Sequence, residues 1–389
     1  MMRKLISTLF ILLLAVQVGW SQEAVSVFKS GDDGYKSYRI PAIVAFSEKK
    51  IIAIAEGRVN NAGDYGNIDI VMKSSEDGGK TWSALKQIVD VGNLQAGNPA
   101  PVIDMQDPRY PKGRIFVFYN VGNDHEGEVR KGNGYRTVWY VTSTDQGQTW
   151  EQPVEITAQV HRLNKPDVNS AWNYKEDWRS YANTPGHAMQ IKEGKYKGRI
   201  FVAANHSAGN PQPAAKDYQA HGFYTDDHGD SFKLGATVEY LGSNESTAAE
   251  LSNSRLMMNS RNQQGNERAR IISISSDGGA TWDTTYVDHN LPDPVNQGSI
   301  LTIGKKKGKN ILAFSNAADK QQRDNLTLRI SFDDGKTWAK SILIDKSEAG
   351  YKGSWTAYSD IVKLGKNKIG ILYEKDNYQD IVFKSIKWK

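Results

Sequence analysis

Six side chains in this sequence have the means to do chemistry, and they lie far apart. Arg39 stands in Tyr-Arg-Ile-Pro-Ala-Ile, Arg261 ends the run Leu-Met-Met-Asn-Ser-Arg, and Arg323 sits in Gln-Gln-Arg-Asp-Asn-Leu. Guanidinium groups brought onto one carboxylate make charge-assisted, directional hydrogen bonds that a lysine cannot match. Such a cluster of like charge makes sense only where an anion is expected. Asp64 follows Glu56-Gly57-Arg58 in a loop between two apolar runs, where a carboxyl stays accessible for proton transfer. Tyr358 lies in Ala-Tyr-Ser-Asp-Ile-Val and Glu245 in Asn-Glu-Ser-Thr-Ala-Ala-Glu-Leu. A phenol, with an ordinary pKa near 10, is a weak nucleophile until a base takes its proton. Nothing in the spacing brings these groups together; the fold has to.

The elements that would position them announce themselves by repetition. The pattern Ser/Thr-x-Asp-x-Gly-x-Thr/Ser-Trp/Phe occurs at Ser75–Trp82, Ser143–Trp150, Thr225–Phe232, Ser275–Trp282 and Ser331–Trp338. Each residue type suits a tight turn between strands: the aspartate accepts backbone N–H bonds, the glycine supplies a positive φ, and the aromatic pins the turn onto a sheet. Their aspartates resemble metal ligands or acids, but a structural role is the expectation. Short β-branched and aromatic runs recur between them, including 51–55, 114–119, 138–142, 199–204, 270–274, 310–314, 326–330, 369–373 and 380–383. Lys-Gly-Arg-Ile-Phe-Val appears identically at 112–117 and 197–202. Strand, further strands, turn motif and closing strand make the repeat of a four-stranded propeller blade. The expectation is an all-β, single-domain, six-bladed β-propeller, with a motif-free blade built from both termini. Only Val160 to Thr184, carrying Trp172, Tyr174, Trp178 and Tyr181, fits no strand pattern; it is expected to pack on itself or else to shape the approach to a site.

The five turn motifs are Asp boxes, and with the contexts above the chain resembles the bacterial-type exo-α-sialidases (neuraminidases) over essentially its whole mature length. The resemblance implies that Arg39, Arg261 and Arg323 clamp a substrate carboxylate. Asp64 falls at the family's acid/base position, with Asp69 as the competing carboxyl, and Arg58 at the arginine near the sugar's O4 hydroxyl. Tyr358 matches the nucleophile and Glu245 the glutamate that activates it, with Glu250 as rival. Glu374 matches the glutamate that holds Arg39, while Arg329 reads as an ordinary strand residue. Sialic acid carries a carboxylate on its anomeric carbon, so a neutral phenol avoids the repulsion that an attacking carboxylate would meet; that sialidases use tyrosine in place of a second carboxylate is established for the family. The implied activity is retaining hydrolysis of terminal sialic acid through a tyrosyl-bound glycosyl intermediate. Anhydro-forming and trans-sialidase action are alternative product modes, and a non-catalytic glycan-binding propeller is an alternative class.

Composition narrows the remaining possibilities. Lys and Arg total 49 against 44 acids, a mild excess without the basic aromatic stripes of a nucleic-acid binder. Lys305 to Lys309 reads as a solvated hairpin tip. Residues 1–21 read as a signal peptide, with Arg3 and Lys4 ahead of an apolar run too short for a comfortable span of about 20 residues. The mature 22–389 chain is thus expected to be periplasmic or secreted, without a membrane span. It contains no cysteine, so no disulfide or thiolate metal site is available. The 7 histidines are scattered without zinc-binding spacing; His187 and His206 occur in stretches common in the family, where a structural role is expected. Neither metal nor organic cofactor is required. The expected partners are sialylated glycoproteins, glycolipids or oligosaccharides, acted on by a monomer.

Overall fold

The computed structural model describes residues 23–389, so the expected leader at 1–21 lies outside the described residues. Apolar runs bounded by turn residues become antiparallel meanders. Ser37–Ala45, Ile51–Arg58, Ile68–Ser75 and Lys86–Val89 form the first, and Gln95–Asp104, Arg114–Gly122, Arg136–Ser143 and Val154–Glu155 the second. One parallel pair, Ile68 with Gln95, joins these two into an eight-stranded sheet. A third sheet runs Trp178–Asn183, Ile200–Ala208, Tyr218–Thr225 and Lys233–Leu234. Two four-stranded sheets follow, over Ser243 to Pro292 and Gly298 to Asp345. In the last sheet Val25–Lys29 pairs with Asp380–Lys387 beside Lys368–Lys375 and Thr356–Leu364. The first and last described strands therefore close one sheet, as the motif-free repeat requires. The arrangement is all-β and propeller-like, with the inner strands of successive sheets as neighbours.

The hydrophobic core is distributed between sheets. Ile52, Ile54 and Ile70 meet Ile115, Val117 and Tyr119. Phe116 and Phe118 meet Val202 and Phe223, and Leu328 and Ile330 meet Ile369 and Ile371. Each of the five repeated turns joins the third and fourth strands of its meander. In the first, the Ser75 hydroxyl donates to Asp77 at 2.8 Å and accepts from the Gly79 N–H, while Asp77 accepts the N–H and hydroxyl of Thr81 at 3.0 and 2.7 Å. The same bonds recur around Asp145, Asp227, Asp277 and Asp333. These carboxylates are consumed by the turn, which leaves them no part in a site. The turn glycine also seats the preceding sheet: a Cβ on Gly79 would lie 2.0 Å from Phe383, and one on Gly279 2.3 Å from Phe201.

The segment 160–184 departs from expectation. Trp178–Asn183 is the first strand of the third sheet, paired with Ile200–Ala208 across a register shift between Trp178 and Tyr181. That shift and its polar, aromatic composition hide the period-2 pattern a strand normally displays. Trp178 and Tyr181 are buried in the core with Phe118 and Val202, and Trp172 packs on Tyr135. Beside them lies a buried histidine group. His206 stacks on Trp178 at 3.5 Å and its Nδ1 is 3.0 Å from Nδ1 of His221, with His161 against Tyr181. His206 is thus structural, as expected.

Two expected outcomes follow from this packing. Gly279→Ala, forced into φ +90° against Phe201, lowers unfolding free energy by about 2–4 kcal/mol in urea titration. Burial holds His161 and His206 well below the ordinary imidazole range and His221 down to about 3. Below pH 6.5 the unfolded imidazoles take up protons and the folded ones do not. Stability therefore falls as pH drops from about 6.5 towards 3, by roughly 1.4 kcal/mol per pH unit for each histidine. His221→Gln flattens that slope in urea midpoints measured between pH 7 and 5.

Candidate active site

The strands nearest the axis are irregular at one end, and that irregularity builds the site. Register shifts fall between Arg39 and Ala42, Gly97 and Ala100, Ser243 and Ser246, and Thr356 and Ser359. Each bulge re-aims side chains that strict alternation would send into a sheet interface. Ile40, β-branched yet at φ 59°, and Asn98 at φ 56° mark the distortion; such backbone persists only where surroundings over-determine it.

Arg39, Arg58, Asp64, Glu245, Arg261, Arg323 and Tyr358 all line one polar cavity of about 290 Å³. A larger cavity, about 580 Å³, is lined by the opposite ends of the same strands, such as 43–45 and 361–363, and is mainly apolar. The smaller one is the candidate site, since it gathers the arginines with Asp64, Glu245 and Tyr358, whereas the charged groups on the larger one are Lys192, Lys197, Lys363 and Glu250.

Glu374, fully buried, is the hinge of the arrangement. It accepts from Arg39 Nε at 2.6 Å, from the Ile40 N–H at 2.9 Å and from the Tyr358 N–H at 3.1 Å. One carboxylate thus ties an arginine to the backbone of the phenol. Glu245 bridges the other side: its Oε1 accepts the Tyr358 hydroxyl at 2.6 Å and its Oε2 accepts from Arg261 Nη1 at 2.7 Å. Arg261 Nη1 also donates to the Tyr358 oxygen at 2.8 Å. Burial is the main force pushing the Tyr358 phenol far above its ordinary pKa, with Glu245 adding to it and Arg261, Arg323 and Arg39 opposing. The free phenol therefore stays protonated at neutral pH.

Asp64 hangs over the opposite wall, its side chain 66% exposed. Buried Arg58 donates to it at 2.7 Å while its own Nε and Nη2 are held by Glu56. Partial burial raises the Asp64 pKa, but Arg58, Arg39 and Arg136 outweigh it and hold the carboxyl below the usual range. The competing residues are elsewhere. Asp69 accepts from Tyr35 and Gln87. Glu250 accepts the Lys192 and Glu193 N–H groups, and Arg329 donates to Asn316. His187 pairs with buried Asp360 and lines the apolar cavity.

The cavity also contains Asn205 together with Asn98, Glu126, Arg136 and Tyr218, the last four of which the sequence reading did not single out. Glu126 accepts the Tyr218 hydroxyl at 2.6 Å and the Ser180 hydroxyl at 3.0 Å. Burial raises the Glu126 pKa, but Arg136 and these bonds bring it below the ordinary value. Arg136 is buried and its Nε has no partner. Glu126 sits in a short polar helix and Tyr218 is one of 18 tyrosines, so neither carries a local signal.

A propeller-like β-fold with a polar cavity at one end of its axis defines the class, and similarity to known proteins narrows it. The BNR repeat-like domain matches residues 49–371, most of the chain, and the chain belongs to this family. It is 31% identical to a sialidase of Micromonospora viridifaciens over 89% of this chain and 51% of that protein. An exo-alpha-sialidase of Arthroderma benhamiae is 28% identical over 89% of this chain and 80% of its own length. The chain thus spans about half the length of the Micromonospora relative. Among solved structures, a Hadza microbial sialidase superposes with TM-score 0.76 at 25% identity, covering 94% of this chain and 68% of that one. A leech intramolecular trans-sialidase, at 16% identity and TM-score 0.71, shares the fold over 94% of this chain and 70% of its own.

Because Glu374 satisfies Arg39 and two N–H groups, removing it strands a buried charge. Glu374→Ala is expected to lower unfolding free energy by about 3–5 kcal/mol, read by urea denaturation.

Proposed function

We propose that this chain is a retaining exo-α-sialidase that releases terminal sialic acid from glycoconjugates, with six four-stranded blades in one domain at 22–389. The blade count treats the eight-stranded sheet as two meanders, since a single residue pair joins them. Export through residues 1–21 and action as a monomer belong to the same proposal. The observation that carries the activity is the Tyr358 phenol 2.6 Å from Glu245, in a cavity that also holds Arg39, Arg261 and Arg323. A cluster of arginines facing a base-paired phenol suits an anomeric centre that bears its own carboxylate.

In this reading the three guanidinium groups hold the carboxylate. The Tyr358 oxygen bonds to the anomeric carbon as its proton passes to Glu245. The bond to the leaving oxygen breaks as Asp64 supplies that oxygen with a proton. Asp64, now a carboxylate, takes a proton from water attacking the same carbon; the tyrosyl bond breaks and Glu245 returns the proton to the phenol. Net configuration is retained after two inversions. The depressed pKa of Asp64 in the free site fits this sequence once the substrate carboxylate arrives. That anion offsets the field of the arginines, so Asp64 gains proton affinity when it must act as an acid.

Tyr358→Phe assayed on a fluorogenic sialoside should lose turnover; undiminished turnover would remove the nucleophile assignment. Asp64→Asn should lower kcat on the order of 10²–10⁴-fold on a poor leaving group and less on a nitrophenyl sialoside. Because Asp64 must be protonated, kcat for the natural linkage falls as pH rises through its pKa in the complex. NMR of the first-formed product decides the mode. An α-anomer supports hydrolysis, an anhydro sugar or a transferred sialoside the alternatives, and binding without release a non-catalytic propeller.

A further inference from the structure

The turn Asp376-Asn377-Tyr378 holds three successive non-glycine residues at positive φ, 52°, 50° and 67°. Left-handed backbone in consecutive residues with side chains is strained, and here it is clamped from outside. Asp376 N–H donates to the Trp355 carbonyl at 2.9 Å and Asn377 N–H to that of Ser354 at 2.7 Å. The Asn377 side chain accepts from the Ser354 N–H at 2.8 Å, and the Tyr351 hydroxyl donates to Asp376 at 2.7 Å. Ser30 donates to the Tyr378 carbonyl at 2.8 Å. Strain over-determined this way points to a function for the residue it presents.

That residue is Tyr378. Its ring lies under the Arg39 guanidinium at 4.0 Å, and its hydroxyl accepts from Arg323 Nη1 at 3.0 Å while donating to Ser354 at 3.3 Å. The three arginines are not supported alike. Arg39 is paired with Glu374 and Arg261 with Glu245, whereas Arg323 forms no ion pair among the described residues. A neutral phenol stands where the other two arginines have a carboxylate. Arg39 also lies 4.0 Å from Asp64, so of the three cations it is Arg323 that has no carboxylate beside it among the described residues, and it sits over the phenol of Tyr358 at 5.4 Å.

We propose that Tyr378 is a positioning residue that spaces Arg39 from Arg323 and fixes Arg323 without neutralising it, so that this arm of the clamp stays free to pair with the substrate carboxylate. This rests on the sialidase reading above. The aromatic face orders one cation, the hydroxyl oxygen orders the second, and neither interaction removes charge. A carboxylate at the same place would hold Arg323 more firmly and cancel the attraction for an anion.

The test compares Tyr378→Phe, Tyr378→Leu and Tyr378→Glu on a fluorogenic sialoside. In Tyr378→Phe the KM rises about tenfold with kcat changed far less, because the clamp grips ground state and transition state alike. Tyr378→Leu also loses the ring beneath Arg39 and rises about threefold further. Tyr378→Glu raises KM beyond either, a dependence on charge that a purely structural tyrosine would not show. Unchanged KM in the Phe and Glu variants of an active enzyme overturns the inference. A wild type that turns over no sialoside removes the sialidase reading instead, and a crystal structure of Tyr378→Phe then decides. Displacement of the Arg323 guanidinium upholds the inference and an unmoved Arg323 overturns it.

Discussion

Three guanidinium groups around one phenol repel one another, and much of the local structure exists to make that arrangement bearable. Buried Glu374 and half-buried Glu245 each take one arginine and one group of Tyr358, its N–H and its hydroxyl respectively. Each carboxylate therefore does two things with one charge: it offsets a cation and sets the position of the phenol. A fully compensated site would have no appetite for an anion, and an uncompensated one would be expelled from the core or would drag water in. A site with Arg39 and Arg261 paired to carboxylates, and Arg323 in no ion pair among the described residues, sits between those limits.

Such a constellation needs a scaffold whose parts do not slide. The sheets face one another across aliphatic and aromatic surfaces, which are nearly non-directional and would tolerate small rotations. The repeated turns remove that freedom. Each locks its own loop through an aspartate that accepts from two groups of one residue, and sets a Cβ-free glycine against a bulky side chain of the preceding sheet, Phe383 under Gly79 and Phe201 under Gly279. Rigidity at that rim is carried along the strands to the bulged ends, where Arg39, Glu245 and Tyr358 emerge.

What could be read from the sequence divides along the same physical line. The turn motifs were legible because a hydrogen-bonded loop constrains residue type at fixed offsets, and Arg39, Asp64, Glu245, Arg261, Arg323, Tyr358 and Glu374 were legible through their contexts. Trp178–Asn183 was not, because its bulge breaks the alternation that reveals a strand. Glu126, Arg136 and Tyr218 come from three separate segments and meet only in space. Tyr378 was hidden more deeply: its place depends on three left-handed residues without a glycine among them, a conformation imposed by the neighbouring 351–355 loop and not by local preference.

The opposite walls of the cavity suggest why the two halves of the chemistry are electrically linked. Arg39 is 4.0 Å from Asp64 and also lies over the ring of Tyr358 at 5.4 Å, so the same cation acts on the proposed acid and the proposed nucleophile. In the empty site it favours the ionised form of both, keeping Asp64 deprotonated and opposing the burial that holds the phenol neutral. An arriving carboxylate weakens that field on both sides together. Asp64 is then easier to protonate, while the Tyr358 hydroxyl keeps Glu245, at 2.6 Å, as the acceptor of its proton. In the proposed reaction, substrate charge would in this way favour the protonated Asp64 that acts on the leaving oxygen, and a neutral sugar of the same shape would leave Asp64 ionised.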